Sequence, residues 1–279
     1  MRFVMFDDFR PGIQKGDSVI DISSLLRGVG TREILPALIQ NRAKIEGEAA
    51  KLNEQHTRPL ASVRLRQPAP DPIQVCCAAR NYVDHHQAPK PDFFQKPYGS
   101  IIGPGDTMIL PKAQATVFNA EPELAVIIGT RADNVLAENA MDHVFGYTCL
   151  FDGSARGLST GFYIHKSFAT FAPIGPAIVT ADEIADPHAL RIRMWADDEL
   201  RQDFSTGQMA NRIEKLIEAA SSVCPLEPGD VLATGTYHVG LGPIWDGQTI
   251  SMEIDLIGRL SVKIHDPLKR SWGADGKIS

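Results

Sequence analysis

The chain lacks several features that would assign it to common classes of protein. Its 279 residues contain four cysteines and no C-x-x-C pair, which argues against a redox motif or a disulfide framework. It has no basic run interleaved with aromatic residues, and its formal net charge is -6, so nucleic acid is not an expected partner. No apolar stretch approaches transmembrane length, and acidic residues with a Pro-Gly pair interrupt the first dozen positions. The sequence therefore predicts reduced, buried thiols, no membrane partner and a location in the cytoplasm.

The chain does contain two glutamates two residues apart, Glu121 and Glu123, and an aspartate, Asp152, that follows a strand-like run. Side chains at positions i and i+2 of an extended segment point to the same face, so Glu121 and Glu123 can aim at one point. Pro122 between them predicts a strand start, an edge or a bulge. We expect apolar strands at 124–128 and 145–151, which places the carboxylates at strand ends.

Three carboxylates suggest a metal site, although a Glu-x-Glu pattern alone is weak evidence. Hard oxygen ligands without a nearby Cys/His cluster suit Mg²⁺, Mn²⁺ or Ca²⁺ better than structural zinc. The alternative is that acidic residues at strand ends are merely solvated. The surrounding segments have to decide between the two interpretations.

The first part of the chain predicts a small N-terminal domain at residues 1–68. Strand patterns occur at 1–6 and 19–22, and apolar residues at helical spacing predict a helix within 33–55. The proline-rich stretch 64–73 is typical of a linker into the main domain. We therefore expect this part to have a structural role.

Short strand patterns separated by Gly/Pro turns dominate the main domain, predicted at 69–265, and a tail follows at 266–279. The pattern of the whole chain predicts an α+β fold. Other expected elements are helices at 136–143, 181–185 and 208–222, with Ser205 or Thr206 as N-cap of the last, and a hairpin turning around 256–259.

Seven motifs in a fixed order resemble those of the fumarylacetoacetate hydrolase family, especially its acylpyruvase-like branch, from about Val75 to Ile264. Each motif is modest evidence, but their common order is strong evidence. The matching segments are RNYVDH (80–85), IGPGD (102–106), EPELAVIIG (121–129), GYTCLFDGSAR (146–156), KSFATFAPIGP (166–176), RQ (201–202) and LEPGDVLATGT (226–236).

The resemblance implies a mixed β-sandwich roll with a small N-terminal domain, often dimeric, and an enzyme dependent on Mg²⁺ or Mn²⁺. Its expected partner is a small 2-oxo or 2,4-dioxo acid. The site residues that it implies are Glu121, Glu123 and Asp152 for the metal, His85 and Lys166 for catalysis, Thr170 beside Lys166, and Arg80, Tyr82, Gln202 and Thr236 for the substrate.

Alternatives remain for several of these residues. Arg80 suits the grip of a substrate carboxylate, as does Gln202, but an intramolecular salt bridge explains Arg80 equally well. Only one of His85 and His86 should face the metal, and the resemblance favours His85. The T-G-T segment can be a tight turn that needs only Gly235.

The chain also departs from the family pattern around the site. Ala88 and Pro89 stand where hydrolytic members have a glutamate paired with the histidine, and both segments at the cavity mouth are shorter. Tyr237 stands where proline usually follows T-G-T, Ala169 replaces an aspartate, and Gly157 replaces another. The metal site is therefore expected to be kept and the rim to be remodelled.

Three functions follow from this pattern. The first is a metal-dependent hydrolase that cleaves a C–C bond in an acylpyruvate-like 2,4-dioxo acid through a metal-bound enolate, serving catabolism. The missing glutamate motivates the second, a decarboxylase, tautomerase or hydratase of a 2-oxo acid with the same metal site. The third is a non-catalytic binding protein, against which the retention of the three carboxylates and Lys166 argues.

Overall fold

β-strands provide most of the regular structure in residues 1–52, 54–82, 90–158 and 161–272, which are the residues that this computed structural model describes. In chain order the strands are β1 (Arg2–Phe6), β2 (Arg10–Lys15), β3 (Ser18–Asp21), β4 (Thr57–Pro59), β5 (Leu65–Arg66), β6 (Val75–Ala78), β7 (Phe93–Gln95), β8 (Ile101–Ile102), β9 (Thr107–Ile109), β10 (Val117–Ile128), β11 (Val144–Arg156), β12 (Ala172–Thr180), β13 (Arg191–Ala196), β14 (Glu199–Ser205), β15 (Val231–Ala233), β16 (Thr249–Ile254) and β17 (Gly258–His265). The α-helices are α1 (Ile34–Gln40), α2 (Arg42–Ala49), α3 (Phe162–Lys166) and α4 (Ile213–Ser221). Short 3₁₀ helices lie at Ser23–Leu26, Thr31–Glu33, Glu54–His56, Leu60–Ser62, Tyr98–Ser100, Ala137–His143, Ala181–Glu183 and Thr206–Gln208.

The described strands form one large and one small sheet. The large sheet has the order β4-β3-β2-β1-β12-β11-β10-β15-β6-β7, with β5 paired to β1 and β8 paired to β12. The small sheet has the order β14-β13-β16-β17-β9. The predicted hairpin is confirmed, since Ile254 of β16 pairs with Gly258 of β17.

The N-terminal strands continue the large sheet. Arg2 and Phe3 of β1 pair with Val179 and Ile178 of β12, and β2 to β4 extend the sheet outward from β1. Strands on both sides of residue 68 therefore share one sheet. The division of the chain into domains at residues 68 and 265 stays a prediction.

Strand β10 is buried on both faces of the large sheet. Leu124 and Val126 pack in the core that includes residues of the small sheet, such as Met252. Ala125 and Ile127 alternate with them and pack on the opposite face, in the core that includes residues of α1. A continuous apolar run is the pattern expected of a strand covered on both sides.

The helices are shorter than the sequence pattern predicts. The expected helix within 33–55 is broken into α1 and α2 at Asn41, whose side-chain Nδ2 donates to the Ala37 carbonyl at 2.9 Å. The predicted helix at 208–222 begins only at Ile213, because Ser205 caps a separate 3₁₀ turn, Thr206–Gln208. No helix in the described ranges has the length and apolar character needed to cross a membrane.

The thiols are free, as predicted, but they are not all buried. Cys76, Cys77 and Cys149 lie in the interior, and burial raises their pKa values, that of Cys76 to about 12. Cys224 is exposed. The prediction of a buried thiol was wrong at that position, which follows the end of α4.

Candidate metal centre

Strands β10 and β11 bring the three predicted carboxylates to one face of the large sheet. Glu121 lies opposite Asp152 in the antiparallel register, and Glu123 follows two residues later on the same face. All three side chains are buried, and one candidate ligand oxygen from each lies within 4.8 Å of the others. The sequence spacing therefore leads to one compact acidic centre.

The carboxylates lie inside long strands and not at strand ends, where the sequence analysis expected them. β10 already begins at Val117, and β11 continues to Arg156. Pro122 is tolerated because, among the described pairings, β15 pairs with β10 only from Ala125 onward, which leaves that edge unpaired at Pro122. The apolar pattern predicted both strands to be shorter than they are, because polar residues that face a buried site do not show the alternation of a strand core.

Two buried lysines hold the Asp152 carboxylate from its two sides. Lys166, at the end of α3, donates to Asp152 Oδ2 and to Glu121 Oε2, the latter at 2.9 Å. Lys96 donates to Asp152 Oδ1 at 2.5 Å, to the Gly153 carbonyl at 3.2 Å and to the backbone carbonyl of Lys166. The resemblance implied Lys166, whereas the sequence analysis missed Lys96.

Arg156 and Ser154 complete the surroundings of Glu121. Arg156 Nη2 donates to Glu121 Oε1, and the Ser154 hydroxyl donates to the same oxygen at 2.9 Å while it accepts from Lys166 at 2.6 Å. Asp152, Ser154 and Arg156 alternate along β11, so they share one face. This spacing was a usable signal for Ser154 and Arg156, which the sequence analysis did not assign to the site. No such signal existed for Lys96.

The surrounding charges shift the pKa values of the two glutamates in opposite directions. Burial would raise the pKa of Glu121, but the charges of Lys166 and Arg156 outweigh burial and lower it to about 2. For Glu123, burial and then the negative charges of Asp152 and Glu121 raise the pKa well above its usual range. Burial would also lower the pKa of Lys166, but Asp152 and Glu121 raise it overall, so the ammonium group keeps its proton.

The three carboxylates suit a divalent metal, and the surroundings of Glu123 give the reason. Its Oε2 accepts the backbone N–H of Gly235 at 2.8 Å, but no lysine or arginine of the described chain forms an ion pair with it. A hard divalent cation between three carboxylates would supply the missing positive charge, and oxygen ligands are what Mg²⁺ and Mn²⁺ prefer. Glu121, Glu123 and Asp152 would hold that ion.

Three of the predicted substrate residues, Tyr82, Gln202 and Thr236, are buried. Tyr82 packs edge-on against Phe204, with 5.3 Å between the ring centroids. Thr236 follows Gly235, the donor to Glu123, and its hydroxyl has no partner in the described structure. Gln202 donates through Nε2 to the carbonyls of Tyr237 and Val239, while its buried Oε1 lacks a partner among the described residues.

The remaining predicted residues are placed differently. Arg80 is largely exposed and pairs with Asp92 at 3.1 Å, which is the intramolecular salt bridge considered as its alternative. Thr170 accepts the Ile109 backbone N–H at 2.8 Å, so its hydroxyl ties the end of β9 to the site segment. His85 lies outside the described residues, as do its neighbours His86 and Ala88. Their predicted roles stay predictions.

The greater part of the chain matches one known protein family. Residues 74–265 match the family model described as fumarylacetoacetate (FAA) hydrolase C-terminal. The chain belongs to the fumarylacetoacetate hydrolase family. The family predicted from the seven motifs is thereby confirmed.

Solved structures of family members support the fold and the metal. The chain is similar to maleylpyruvate hydrolase from Sphingobium sp. SYK-6 in complex with manganese(II) and pyruvate, at 36% identity and a TM-score of 0.85, over 95% of this chain and 99% of that one. It is also similar to 5-carboxymethyl-2-hydroxymuconate delta-isomerase from Mycobacterium smegmatis, at 31% identity and a TM-score of 0.77, over 95% and 100% of the two chains. The predicted α+β fold of the family is confirmed. The predicted divalent-metal cofactor is supported by the manganese(II) of that hydrolase and by the three carboxylates of this chain, which could hold such an ion.

A relative known by sequence carries a different activity. The chain is 36% identical over 267 residues to a mitochondrial oxaloacetate tautomerase of Xenopus laevis, which covers 89% of this chain and 83% of the relative. The family members similar to this chain are thus enzymes, and they include a hydrolase, an isomerase and a tautomerase. Membership of the family supports metal-dependent chemistry on acylpyruvate-type acids without selecting one reaction.

Proposed function

We propose that the protein is a divalent-metal-dependent hydrolase that cleaves a carbon–carbon bond in an acylpyruvate-like 2,4-dioxo acid. The observation that carries this proposal is the buried acidic centre, with a protonated Lys166 bonded to two of its three carboxylates. The similar maleylpyruvate hydrolase binds manganese(II) together with pyruvate. Pyruvate is the 2-oxo acid that cleavage of an acylpyruvate releases.

The metal, when bound by Glu121, Glu123 and Asp152, supplies Lewis-acid activation of the oxygens of the acid. Lys166 contributes a fixed positive charge and a hydrogen-bond donor beside those carboxylates. Because Lys166 uses its three ammonium N–H donors for Glu121, Asp152 and Ser154, it is not assigned the role of general base. We propose His85 for that role, since an unperturbed histidine transfers protons near neutral pH.

Gln202 and Thr236 supply complementary hydrogen-bonding groups to the acid. A buried polar atom without a partner costs about 1–3 kcal/mol, and both side chains carry such an atom in the described structure. Because Gln202 already uses Nε2 for backbone carbonyls, only its acceptor Oε1 remains, which suits the hydroxyl of an enol better than a carboxylate. The Thr236 hydroxyl can donate to a carbonyl or carboxylate oxygen. Tyr82 and the exposed Arg80 would line the path of the acid.

A tautomerase acting on a 2-oxo acid is the second candidate. The similarity to an oxaloacetate tautomerase supports it, as does Ala88 in place of the glutamate that hydrolytic members carry. A tautomerase only moves a proton and does not need to orient a water molecule. The same centre and the same Lys166 can serve both reactions.

An assay with a panel of acids separates these candidates. The metal-loaded protein would be given acylpyruvates and oxaloacetate, with loss of the enol absorbance followed and the products identified. A hydrolase releases two acid fragments from an acylpyruvate, and the release should stop with EDTA or in Glu123→Ala but persist in Glu138→Ala, an exposed control. Ketonisation without fragments would contradict the hydrolase and support the tautomerase, and release of CO₂ would support a decarboxylase.

Two further proposals concern the location and the oligomeric state of the enzyme. We keep the cytoplasm as the proposed location, and relatives include mitochondrial proteins. The family resemblance supports a homodimer. Cell fractionation and light scattering would test these two predictions separately.

A further inference from the structure

The loop at residues 235–243 passes strand β10 and is hydrogen-bonded to it near both ends of the loop. At one end the Gly235 N–H donates to Glu123 Oε2 at 2.8 Å, and at the other Asn119 Nδ2 donates to the Gly242 carbonyl at 2.6 Å. Asn119 and Glu123 are four residues apart on β10, which is about 13 Å along a strand. Glu121 lies midway between them, and His238 lies near the middle of the 235–243 loop. These two anchoring hydrogen bonds therefore lead the loop past Glu121 at about the position of His238.

The backbone on both sides of His238 is clamped to β14. Gln202 Nε2 donates to the carbonyl of Tyr237 and, at 3.2 Å, to that of Val239. Arg201 donates through Nη1 to the Pro243 carbonyl. At Gly240, where φ is +83°, an added Cβ would lie 2.1 Å from the Arg201 carbonyl oxygen, so the loop packs directly on this strand. The clamp holds the backbone while the His238 side chain stays exposed.

The charge of His238 is among those that act on Glu121. Burial raises the pKa of Glu121, and Lys166, Arg156 and then His238 lower it through their charges. The strands that hold the loop carry Glu121 and Glu123 on β10 and Glu199, Arg201 and Asp203 on β14, and Arg156 of β11 donates to Asn119 at the second anchor. An exposed imidazole beside a buried acidic centre can exchange protons with solvent and face a ligand at the centre.

We propose that His238 moves a proton to and from the carbon next to the 2-oxo group of the bound acid. This inference rests on the proposed function, which puts a 2-oxo acid at the acidic centre. It also gives the chain a proton-transfer group outside the segment in which Ala88 stands in place of the usual glutamate. In the sequence the signal was a histidine two residues after T-G-T, which the family pattern did not single out.

The proton balance is simple in both candidate reactions. In hydrolysis, the water oxygen bonds to the distal carbonyl carbon, the C–C bond breaks, and its electron pair becomes that of the enolate of the 2-oxo acid. His85, the proposed general base, takes the proton that water releases, and the protonated imidazole of His238 gives a proton to the enolate carbon, which yields a carboxylic acid and a 2-oxo acid. Proton exchange with solvent then restores both histidines. In tautomerisation, the imidazole of His238 takes the enol hydroxyl proton and returns one to carbon.

Proton exchange of pyruvate in D₂O tests His238 without any cleavage reaction. The Mg²⁺-loaded protein should accelerate the loss of the pyruvate methyl proton signal, and His238→Gln should slow this exchange by about 10²-fold or more, the usual contribution of general acid–base catalysis. His265→Gln is the matched control, since His265 is also exposed but binds Asp246.

A second measurement follows the imidazole itself. The His238 ring resonances, assigned by their absence from His238→Gln, should shift when pyruvate is added to the Mg²⁺ form. Exchange at the wild-type rate in His238→Gln, resonances that pyruvate does not move, or a wild type without exchange would each overturn the inference. A wild type that exchanges protons through His238 but cleaves no acylpyruvate would overturn the hydrolase proposal and leave this inference standing.

Discussion

The two halves of strand β10 are equally buried and opposite in character. Residues 124–128 are all apolar and pack into cores on both faces of the sheet. Residues 117–123 include Asn119, Glu121 and Glu123, which are buried as well. The apolar half gains free energy on burial, whereas a buried charge costs free energy unless it is paired.

The difference indicates that the half at residues 117–123 serves chemistry and not stability. Buried ion pairs are weak evidence for stability, because desolvation offsets much of their attraction. The chain nevertheless places Lys96, Lys166 and Arg156 around the acidic half of the site strands. An apolar replacement would be the simpler solution for stability alone. Stability experiments in the two halves should therefore respond differently to metal.

Removal of Lys96 should cause the largest loss of stability around the acidic half of β10. Lys96→Met leaves one oxygen of the fully buried Asp152 without its cation, and loss of one partner of a buried pair costs about 3–5 kcal/mol. Urea denaturation in EDTA should show this loss, and Lys112→Met, at an exposed lysine, should show almost none. An unchanged midpoint in Lys96→Met would mean that Asp152 does not need the Lys96 charge.

Leu124→Ala should destabilise the apolar half of β10 without weakening metal binding. Leu124 is fully buried, and truncation of a buried leucine costs about 2–5 kcal/mol through lost burial and the cavity left behind. Calorimetry with Mn²⁺ at a temperature where the variant is folded should give an affinity close to that of the wild type. A large loss of affinity would show that the apolar and acidic halves of β10 are energetically coupled.

Glu123→Gln should make the protein more stable than the wild type in EDTA and less stable than the wild type when Mg²⁺ is added. The folded-state pKa of Glu123 is raised above its unfolded value, so the folded metal-free protein binds the extra proton. Its stability contribution is present below the unfolded pKa and is lost as pH rises toward the folded one. In EDTA near neutral pH the variant should therefore be more stable than the wild type.

With Mg²⁺ added, the order should reverse, because the wild type gains stability from metal that it binds more tightly than the variant does. Thermal unfolding at several pH values, with and without Mg²⁺, measures both orders. Equal melting temperatures in EDTA across the pH range would contradict the raised pKa. The Glu138→Gln variant, at an exposed glutamate, serves as the control for the substitution itself.

The acidic centre was predictable because its information is local. The i, i+2 spacing of Glu121 and Glu123 and the motif around Asp152 needed no knowledge of the fold beyond two extended segments. The antiparallel register then placed Asp152 opposite Glu121. The same alternation would have found Ser154 and Arg156 if it had been applied to β11.

Lys96 and the 235–243 loop were not predictable in the same way. Lys96 follows strand β7 and reaches Asp152 only through the packing of distant segments, with no spacing that connects the two. The break of the predicted helix at Asn41 has a local origin instead, since the side-chain hydrogen bond from Asn41 to the Ala37 carbonyl competes there with the helical pattern. Periodicity describes which face is buried, but it does not say where an element ends or which distant residue closes a site.

Ser154→Ala is the mildest test of the acidic half. The Ser154 hydroxyl donates to Glu121 and accepts from Lys166, so it orients both groups without carrying a charge. Its loss should lower the free energy of unfolding by about 1 kcal/mol, the usual net contribution of a hydrogen bond, and it should weaken Mn²⁺ binding only a few-fold. Calorimetry measures the affinity, and urea denaturation measures the stability. Ser222→Ala, at an exposed serine on the C-terminal side of α4, is the control. If Ser154→Ala abolished metal binding, the positions of Glu121 and Lys166 would depend on this hydroxyl more than on their direct ion pair.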